Sequence, residues 1–154
     1  MQRVSIMIRA EKSIVRLAAI LFLVMTASAC RHTPDEVQVR DAVASIAQAA
    51  EAGSAGDVVA PLTEDFDGNA GAMDQRQLAG MVRLLTLRGE HVGVTMGPVS
   101  IEHRGERMLA RFTVTLTSGS KLLPDRAGVY QVESAWRKDD GDWRCYTASW
   151  THTM

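Results

Sequence analysis

The order of residue periodicities along the chain predicts an α+β domain, in which N-terminal helices pack on a curved antiparallel sheet of four to five strands. Apolar residues recur at helical spacing before Gly89 and at a spacing of two after it. Turn-forming residues divide the second half into runs of strand length. Helices followed by a meander of strands are typical of domains with segregated layers.

Two long helices are predicted with their caps, and Asp57–Ala60 is a candidate for one further turn between them. The first begins at Thr33, with Pro34 at the first helical position and Glu36 completing a capping box. Its apolar stripe comprises Val39, Val43, Ile46 and Ala50. The second begins at Asp74 as cap, with Gln77 at the box position. Its apolar stripe comprises Leu78, Met81, Val82 and Leu85. Both stripes predict faces that pack on the sheet.

A turn-rich acidic loop is predicted between these helices, around Asp65–Asn69. Its polar side chains have the spacing of the first, third and fifth ligands of a calcium loop. Ala70 and Arg76 stand where that loop needs a glycine and a bidentate glutamate. We therefore expect no metal here, and side chains that brace turns instead.

Four strands are predicted after Gly89. The first alternates from Val92 to Ile101, with a break at Gly97 and Pro98. The second is long, and its apolar face comprises Met108, Ala110, Phe112, Val114 and Leu116. A loop at 118–128 follows. The last two strands, about 129–137 and 143–152, are joined by a hairpin turn at 139–142.

The closing hairpin resembles that of a known superfamily. Its pattern Trp136-Arg137-x3-Gly141-x-Trp143-Arg144, after helices and long strands, resembles the nuclear transport factor 2-like (SnoaL-like, cystatin-like) superfamily. The resemblance covers nearly all of residues 33–152 and implies a cone-shaped cystatin-like domain at 33–154 with a pocket. The superfamily holds isomerases, dehydratases, cyclases, transport factors and immunity proteins, so its fold does not fix a function.

Residues 1–29 have the composition of a secretory signal peptide. Basic residues precede an uncharged apolar run, Leu17–Ala29, which is too short to cross a hydrocarbon core of about 30 Å. The alternative is a buried N-terminal helix. Four of the 17 basic and one of the 18 acidic residues precede Cys30, so the rest of the chain carries a net charge of −4. That charge argues against binding to nucleic acid.

The junction Ala27-Ser28-Ala29-Cys30 resembles the lipobox of bacterial lipoproteins. The resemblance implies that Cys30 is acylated, with palmitate among its chains, and begins the mature protein, with residues 30–32 as a short tether. Arg31, where aspartate would imply inner-membrane retention, favours the outer membrane, with the domain facing the periplasm. The same small residues also fit cleavage by the general signal peptidase.

The candidate pocket residues are apolar or aromatic: Met81, Phe112, Tyr130, Trp136, Tyr146 and Trp150. Aromatic residues at a spacing of two are also typical of a packed core. Catalysis in this superfamily uses a buried Asp, His or Tyr, for which Tyr130, Glu133, Tyr146 and His152 are candidates. Glu133 can instead pair with Arg111 across strands. Cys145 is expected to be a buried hydrophobe, and no pattern indicates a metal or a cofactor.

Two classes of function follow. The favoured one is a non-catalytic, lipid-anchored periplasmic domain that binds a small apolar ligand or an envelope protein. The alternative is a pocket enzyme, namely a lyase, isomerase or hydrolase of small hydrophobic substrates, and an immunity-type lipoprotein is a third candidate. A buried carboxylate or histidine in the pocket would favour the enzyme. The polar sheet face around Arg111 and Glu133 is either solvated or the surface of a homodimer.

Replacing Cys30 by serine removes the proposed acyl acceptor. Each buried methylene contributes about 0.8 kcal/mol, so several acyl chains anchor a protein durably. We expect Cys30→Ser protein in the soluble periplasmic fraction and wild type in the outer-membrane fraction, measured by immunoblotting. The Cys145→Ser protein is the control, because it keeps Cys30. Unchanged membrane fractionation of the Cys30→Ser protein would contradict the anchor.

Overall fold

Helices lie against one mixed sheet, which confirms the predicted α+β class. The structure, a computed structural model, describes residues 33–119 and 124–154. The described helices are α1 (Asp35–Glu51), α2 (Ala55–Val59) and α3 (Gln75–Leu87). The strands are β1 (Leu62–Gly68), β2 (Met73–Asp74), β3 (His91–Met96), β4 (Ser100–Arg104), β5 (Arg107–Gly119), β6 (Pro124–Asp139) and β7 (Asp142–His152). The strand order is β2-β1-β7-β6-β5-β3, and β4 also pairs with β5.

The predicted signal peptide and the lipobox cysteine, residues 1–30, lie outside the described residues. None of the helices in the described ranges is long and apolar enough to cross a membrane. Pro34–Met154 form one compact unit, which begins four residues after Cys30.

The predicted number of four to five strands is too low, because the described sheet has seven strands. The predicted antiparallel direction is wrong for one pair, because β1 joins the sheet in parallel with β7. Leu62 and Phe66 of β1 are buried, whereas Glu64, Asp65 and Asp67 are exposed. The acidic side chains therefore lie on the solvent side of a strand, and their density in the sequence indicated a loop. The predicted loop at 118–128 is likewise shorter, because β5 continues to residue 119 and β6 begins at residue 124.

The helix starts agree with the sequence at one of two sites. In α3, the Asp74 carboxylate accepts the Gln77 backbone N–H at 2.7 Å, and the Gln77 amide oxygen accepts the Asp74 N–H at 2.8 Å. This capping box is confirmed. At α1 the N-cap is Pro34 rather than Thr33, without a side-chain cap. The extended Pro34 supplies its carbonyl to the Val37 N–H at 2.9 Å, so the helix begins one residue later than predicted.

The inner face of the sheet is the face towards the helices. Its residues form five rows, and the members of each row are paired across neighbouring strands. From the buried end, they are Met108–Trp136–Cys145, Ala110–Ser134–Ala148, Phe112–Val132–Trp150, Met96–Val114–Tyr130–His152 and Val94–Leu116–Gly128. The first row is almost completely buried, and Leu116 in the last row is 36% exposed. The core therefore lies at one end of the sheet, and the inner face becomes accessible towards the other.

A β-bulge in β7 interrupts this register. Ala135 pairs with Thr147 but Trp136 pairs with Cys145, so Tyr146 is an extra residue on β7. Such a bulge places two consecutive side chains on one side of the strand. Cys145 before the bulge and Ala148 after it both line the inner face. Tyr146 contacts the outer-face guanidinium groups of Arg107 and Arg137, whose Cζ atoms lie 5.4 and 5.3 Å from its ring centre.

The α3 capping box gives a prediction for stability. Removing a carboxylate N-cap leaves the Gln77 N–H without its acceptor and costs about 1 kcal/mol. We expect Asp74→Ala to lower the free energy of unfolding by that amount in urea titration, and Asp74→Ser, which keeps a capping oxygen, to restore most of it. Equal stability of the alanine and serine variants would contradict the role of the cap.

Candidate ligand-binding cavity

An apolar cavity of about 210 Å³ lies between the helices and the inner face of the sheet. The helical side contributes Val43, Ile46, Ala47, Ala50, Val58 and Leu78. The sheet contributes Leu62, Phe66, Val94, Met96, Phe112, Val114, Leu116, Val132, Ser134, Trp136, Cys145, Ala148 and Trp150. A cavity of roughly 150 Å³ lined by aliphatic and aromatic side chains holds one benzene molecule. This cavity therefore has room for one ring with a small substituent.

Each end of the cavity has a different environment. At the closed end, Trp136 and Cys145 are 1% and 3% exposed. The Trp136 indole N–H donates to the Ser134 hydroxyl oxygen at 3.0 Å, so the buried indole is satisfied within the sheet. At the other end Val114 and Leu116 are progressively more exposed. The cavity therefore opens at the last rows of the inner face.

Besides the indoles of Trp136 and Trp150, two lining side chains carry polar atoms, and both of these already have partners. The Ser134 hydroxyl donates to the Ala110 carbonyl at 3.5 Å, besides accepting from Trp136. The Cys145 thiol donates to the Thr147 carbonyl at 3.3 Å. Burial raises the pKa of Cys145 to about 12, so its sulfur is a neutral thiol at physiological pH. The remaining lining residues in the described part of the chain are apolar.

An aromatic pair lies at the open end of the inner face. Tyr130 pairs with Val114 of β5 and with His152 of β7. The two rings have centroids 5.0 Å apart and planes at 57°. Both are next to Gly128, which has no side chain to separate them from the backbone. Neither ring is among the residues that line the cavity, but both share a cross-strand row with Met96 and Val114, which do line it. We call this position beside the lining the rim of the cavity.

The structure separates the predicted pocket residues into three groups. Phe112, Trp136 and Trp150 line the cavity. Tyr130 is not among its lining residues and lies beside them, in the same cross-strand row as Val114. Tyr146 does not line it, because the bulge turns its ring to the outer face. Met81 is also misassigned: it is 45% exposed, since α3 packs through Ala79 and Val82.

Several lining residues were absent from the sequence prediction. Leu62 and Phe66 belong to β1, where the acidic residues of the sequence predict a loop. The bulge hides Cys145, because alternation along β7 predicts it on the opposite face from Ala148 and Trp150. Ala47 and Ala50 of α1 have helical spacing with Val43, so the apolar stripe of α1 was a usable signal.

The outer face of the sheet carries a network of ion pairs. Arg111 donates to the carboxylates of Glu133 at 2.6 Å and Glu102 at 3.1 Å, which confirms the predicted cross-strand pair. Hydrogen bonds from Arg104 and then Arg111 lower the pKa of Glu102. Exposed pairs of this kind contribute little to stability. A groove of about 640 Å³ runs beside Arg111 and Thr151, and a homodimer through this face stays a prediction.

Two acidic side chains of β1, Asp65 and Asp67, interact with other residues of the domain. Asp65 pairs with Arg137 at 2.7 Å, and hydrogen bonds from Thr63 and Arg137 lower its pKa. The Asp67 carboxylate accepts the Gly71 N–H at 2.5 Å. The Asn69 amide oxygen accepts the Trp150 N–H at 2.8 Å. The described residues contain no cluster of three or more acidic, histidine or cysteine side chains placed to hold a metal ion.

The buried thiol gives a prediction for alkaline stability. The thiol pKa is 9.0 when exposed and about 12 in the fold. Between these values the native state keeps a proton that the unfolded chain loses, so the free energy of unfolding falls as pH rises. One proton corresponds to about 1.4 kcal/mol per pH unit. Urea titrations across this window should show a shallower decline for Cys145→Ala than for wild type, and identical slopes would contradict the burial.

Comparison with known proteins finds a shared fold. No protein-family model matches the chain, and no curated protein matches it. A nuclear transport factor 2-like protein with a cystatin-like fold from Novosphingobium aromaticivorans is 19% identical, with a TM-score of 0.63 over 88% of this chain and 87% of that one. A candidate scytalone dehydratase from the same species is 13% identical, with a TM-score of 0.66 over 77% and 84%. A nuclear transport factor 2-like protein from Cytophaga hutchinsonii is 12% identical, with a TM-score of 0.60 over 75% and 95%. The chain therefore has the nuclear transport factor 2-like, cystatin-like fold.

Proposed function

We propose that the protein is a lipid-anchored periplasmic domain that binds a small apolar ligand of about one ring in its cavity. The observation that carries this proposal is the cavity itself, which is preformed and apolar and has a volume of about 210 Å³. Preformed apolar pockets with a few polar groups are typical small-molecule sites. A structural neighbour with the same fold is described as a candidate scytalone dehydratase, which supports this use of the space between helices and sheet.

The chemistry of the lining favours binding over proton transfer. A general acid or base needs a pKa near the working pH. The titratable group in the described lining is Cys145, whose pKa of about 12 keeps it protonated. Ser134 engages Trp136 and Ala110 rather than a neighbouring base. The dehydratase description belongs to a structural neighbour that is 13% identical to this chain, so we retain the pocket enzyme as the alternative.

The expected affinity is modest. Small ligands gain at most about 0.3 to 1.5 kcal/mol per non-hydrogen atom. A ring of seven such atoms that reaches about half of the upper figure gains about 5 kcal/mol, which corresponds to a dissociation constant of roughly 0.1 mM. Anchoring at Cys30 would place the cavity beside the membrane, because the tether of residues 30–32 spans at most about 3.5 Å per residue. Membranes concentrate apolar molecules, so a cavity beside the membrane would be occupied by its ligand even at a modest affinity.

Filling the cavity from α1 should remove binding without unfolding the domain. Ala47 lines the cavity, whereas Ala44, three residues earlier on the same helix, is exposed. Ala47→Leu adds three carbon atoms to the lining, and cavity filling is typically neutral or stabilising. We expect Ala47→Leu to weaken toluene binding at least tenfold while the melting temperature stays equal or rises.

The measurement is titration calorimetry with toluene on the full chain carrying Cys30→Ser, which we expect to be soluble. Ala44→Leu is the matched control and should bind toluene like the parent. Failure of the parent protein to bind toluene, or equal binding by the Ala47→Leu variant, would contradict the proposed site.

A further inference from the structure

Two polar atoms converge at the rim of the cavity. A Cβ atom built on Gly128 would lie 3.1 Å from the Tyr130 hydroxyl oxygen and 3.1 Å from the His152 Nε2 atom. Both atoms therefore lie close to the backbone of Gly128, which has no side chain to cover it. The described residues supply no hydrogen-bond partner to either atom, and neither ring is ion-paired there. Within the described ranges, both polar groups are therefore available to a third molecule.

The register fixes the position of this pair relative to the apolar lining. Tyr130 and His152 are cross-strand neighbours in one row, and Val132 and Trp150 occupy the adjacent row, which lines the cavity. Rows on one face are two residues apart along each strand, which is about 7 Å. A six-membered ring with one substituent has about this length. A ring beside Val132 and Trp150 would therefore place its substituent at the rim.

We propose that Tyr130 and His152 form a polar rim that recognises a hydroxyl group, so that the ligand class is a ring-sized apolar compound with one hydroxyl. This inference rests on the proposed function and specifies its ligand. A hydroxyl both donates and accepts. A neutral imidazole nitrogen can accept its hydrogen while the tyrosine hydroxyl donates to its oxygen, so one ligand group satisfies both rim atoms. A site that hydrogen-bonds a ligand hydroxyl discriminates strongly against the analogue without it.

The rim depends on the glycine at position 128, because a side chain there would occupy the space next to both rings. Gly128 is buried, and a methyl group there would displace the Tyr130 ring, whose Cε2 atom would lie 3.0 Å away. Gly128→Ala should therefore move both rim atoms and leave the closed end of the cavity, around Trp136 and Cys145, intact.

The test compares phenol with toluene, which differ by a hydroxyl in place of a methyl group. Both are titrated calorimetrically into the full-length Cys30→Ser protein and into its Tyr130→Phe, His152→Phe and Gly128→Ala derivatives. We expect Tyr130→Phe to weaken phenol binding about fivefold to tenfold and to leave toluene binding within twofold, because only the hydroxyl partner is lost. Gly128→Ala and His152→Phe should lower the affinity for phenol relative to toluene in the same direction.

Tyr146→Phe is the matched control, because it removes a tyrosine hydroxyl on the outer face, where Arg107 donates to it at 3.4 Å. It should leave both dissociation constants unchanged. If toluene binds and the phenol-to-toluene ratio is the same in wild type and Tyr130→Phe, the polar rim is refuted while the apolar site stands. An equal loss of both ligands in Tyr130→Phe would show a structural role and would also overturn the inference. If neither ligand binds the parent protein, the proposed function itself fails.

Discussion

The β-bulge at Tyr146 is the constraint on which the cavity depends. Strand side chains alternate between faces, so without an extra residue Cys145 and Ala148 would lie on opposite sides of β7. The bulge brings both to the inner face, one in the buried core and the other in the cavity wall. The inserted residue is itself held outside by two guanidinium groups on its ring. One extra residue thus allows the same strand to contribute side chains to the buried core and to the wall of the cavity.

The cavity exists because its two walls differ in bulk. The sheet contributes large side chains such as Trp136 and Trp150, whereas α1 faces them with Ala47 and Ala50. Interiors are ordinarily close-packed, and an unfilled apolar space costs stability. The Trp136–Ser134 hydrogen bond fixes the closed end, and exposure rises along the inner face from Met108 to Leu116. A stable core at one end thereby supports an unfilled space at the other.

Regular features could be predicted from the sequence, and irregular ones could not. The change of period at Gly89, the Asp74 cap and the Arg111–Glu133 pair follow from local spacing, and all three agree with the structure. The bulge has no local signature, so alternation placed Tyr146 on the wrong face. The parallel pairing of β1 with β7 is a contact between distant segments, and the acidic side chains on its exposed face suggested a loop. Phe112 and Trp150, which lie in regular strand segments, are therefore predicted correctly as lining residues, whereas Tyr146 at the bulge is not.

The central claim is that the space between α1 and the inner face is a ligand site. Its most direct test is isotope-filtered nuclear Overhauser spectroscopy of the protein with toluene. We expect cross-peaks from toluene to the methyl groups of Val132, Ala47 and Ala148, which line the cavity from opposite walls, and none to the exposed methyl group of Ala44. Cross-peaks confined to surface methyl groups, or none with the lining at saturating toluene, would contradict the claim.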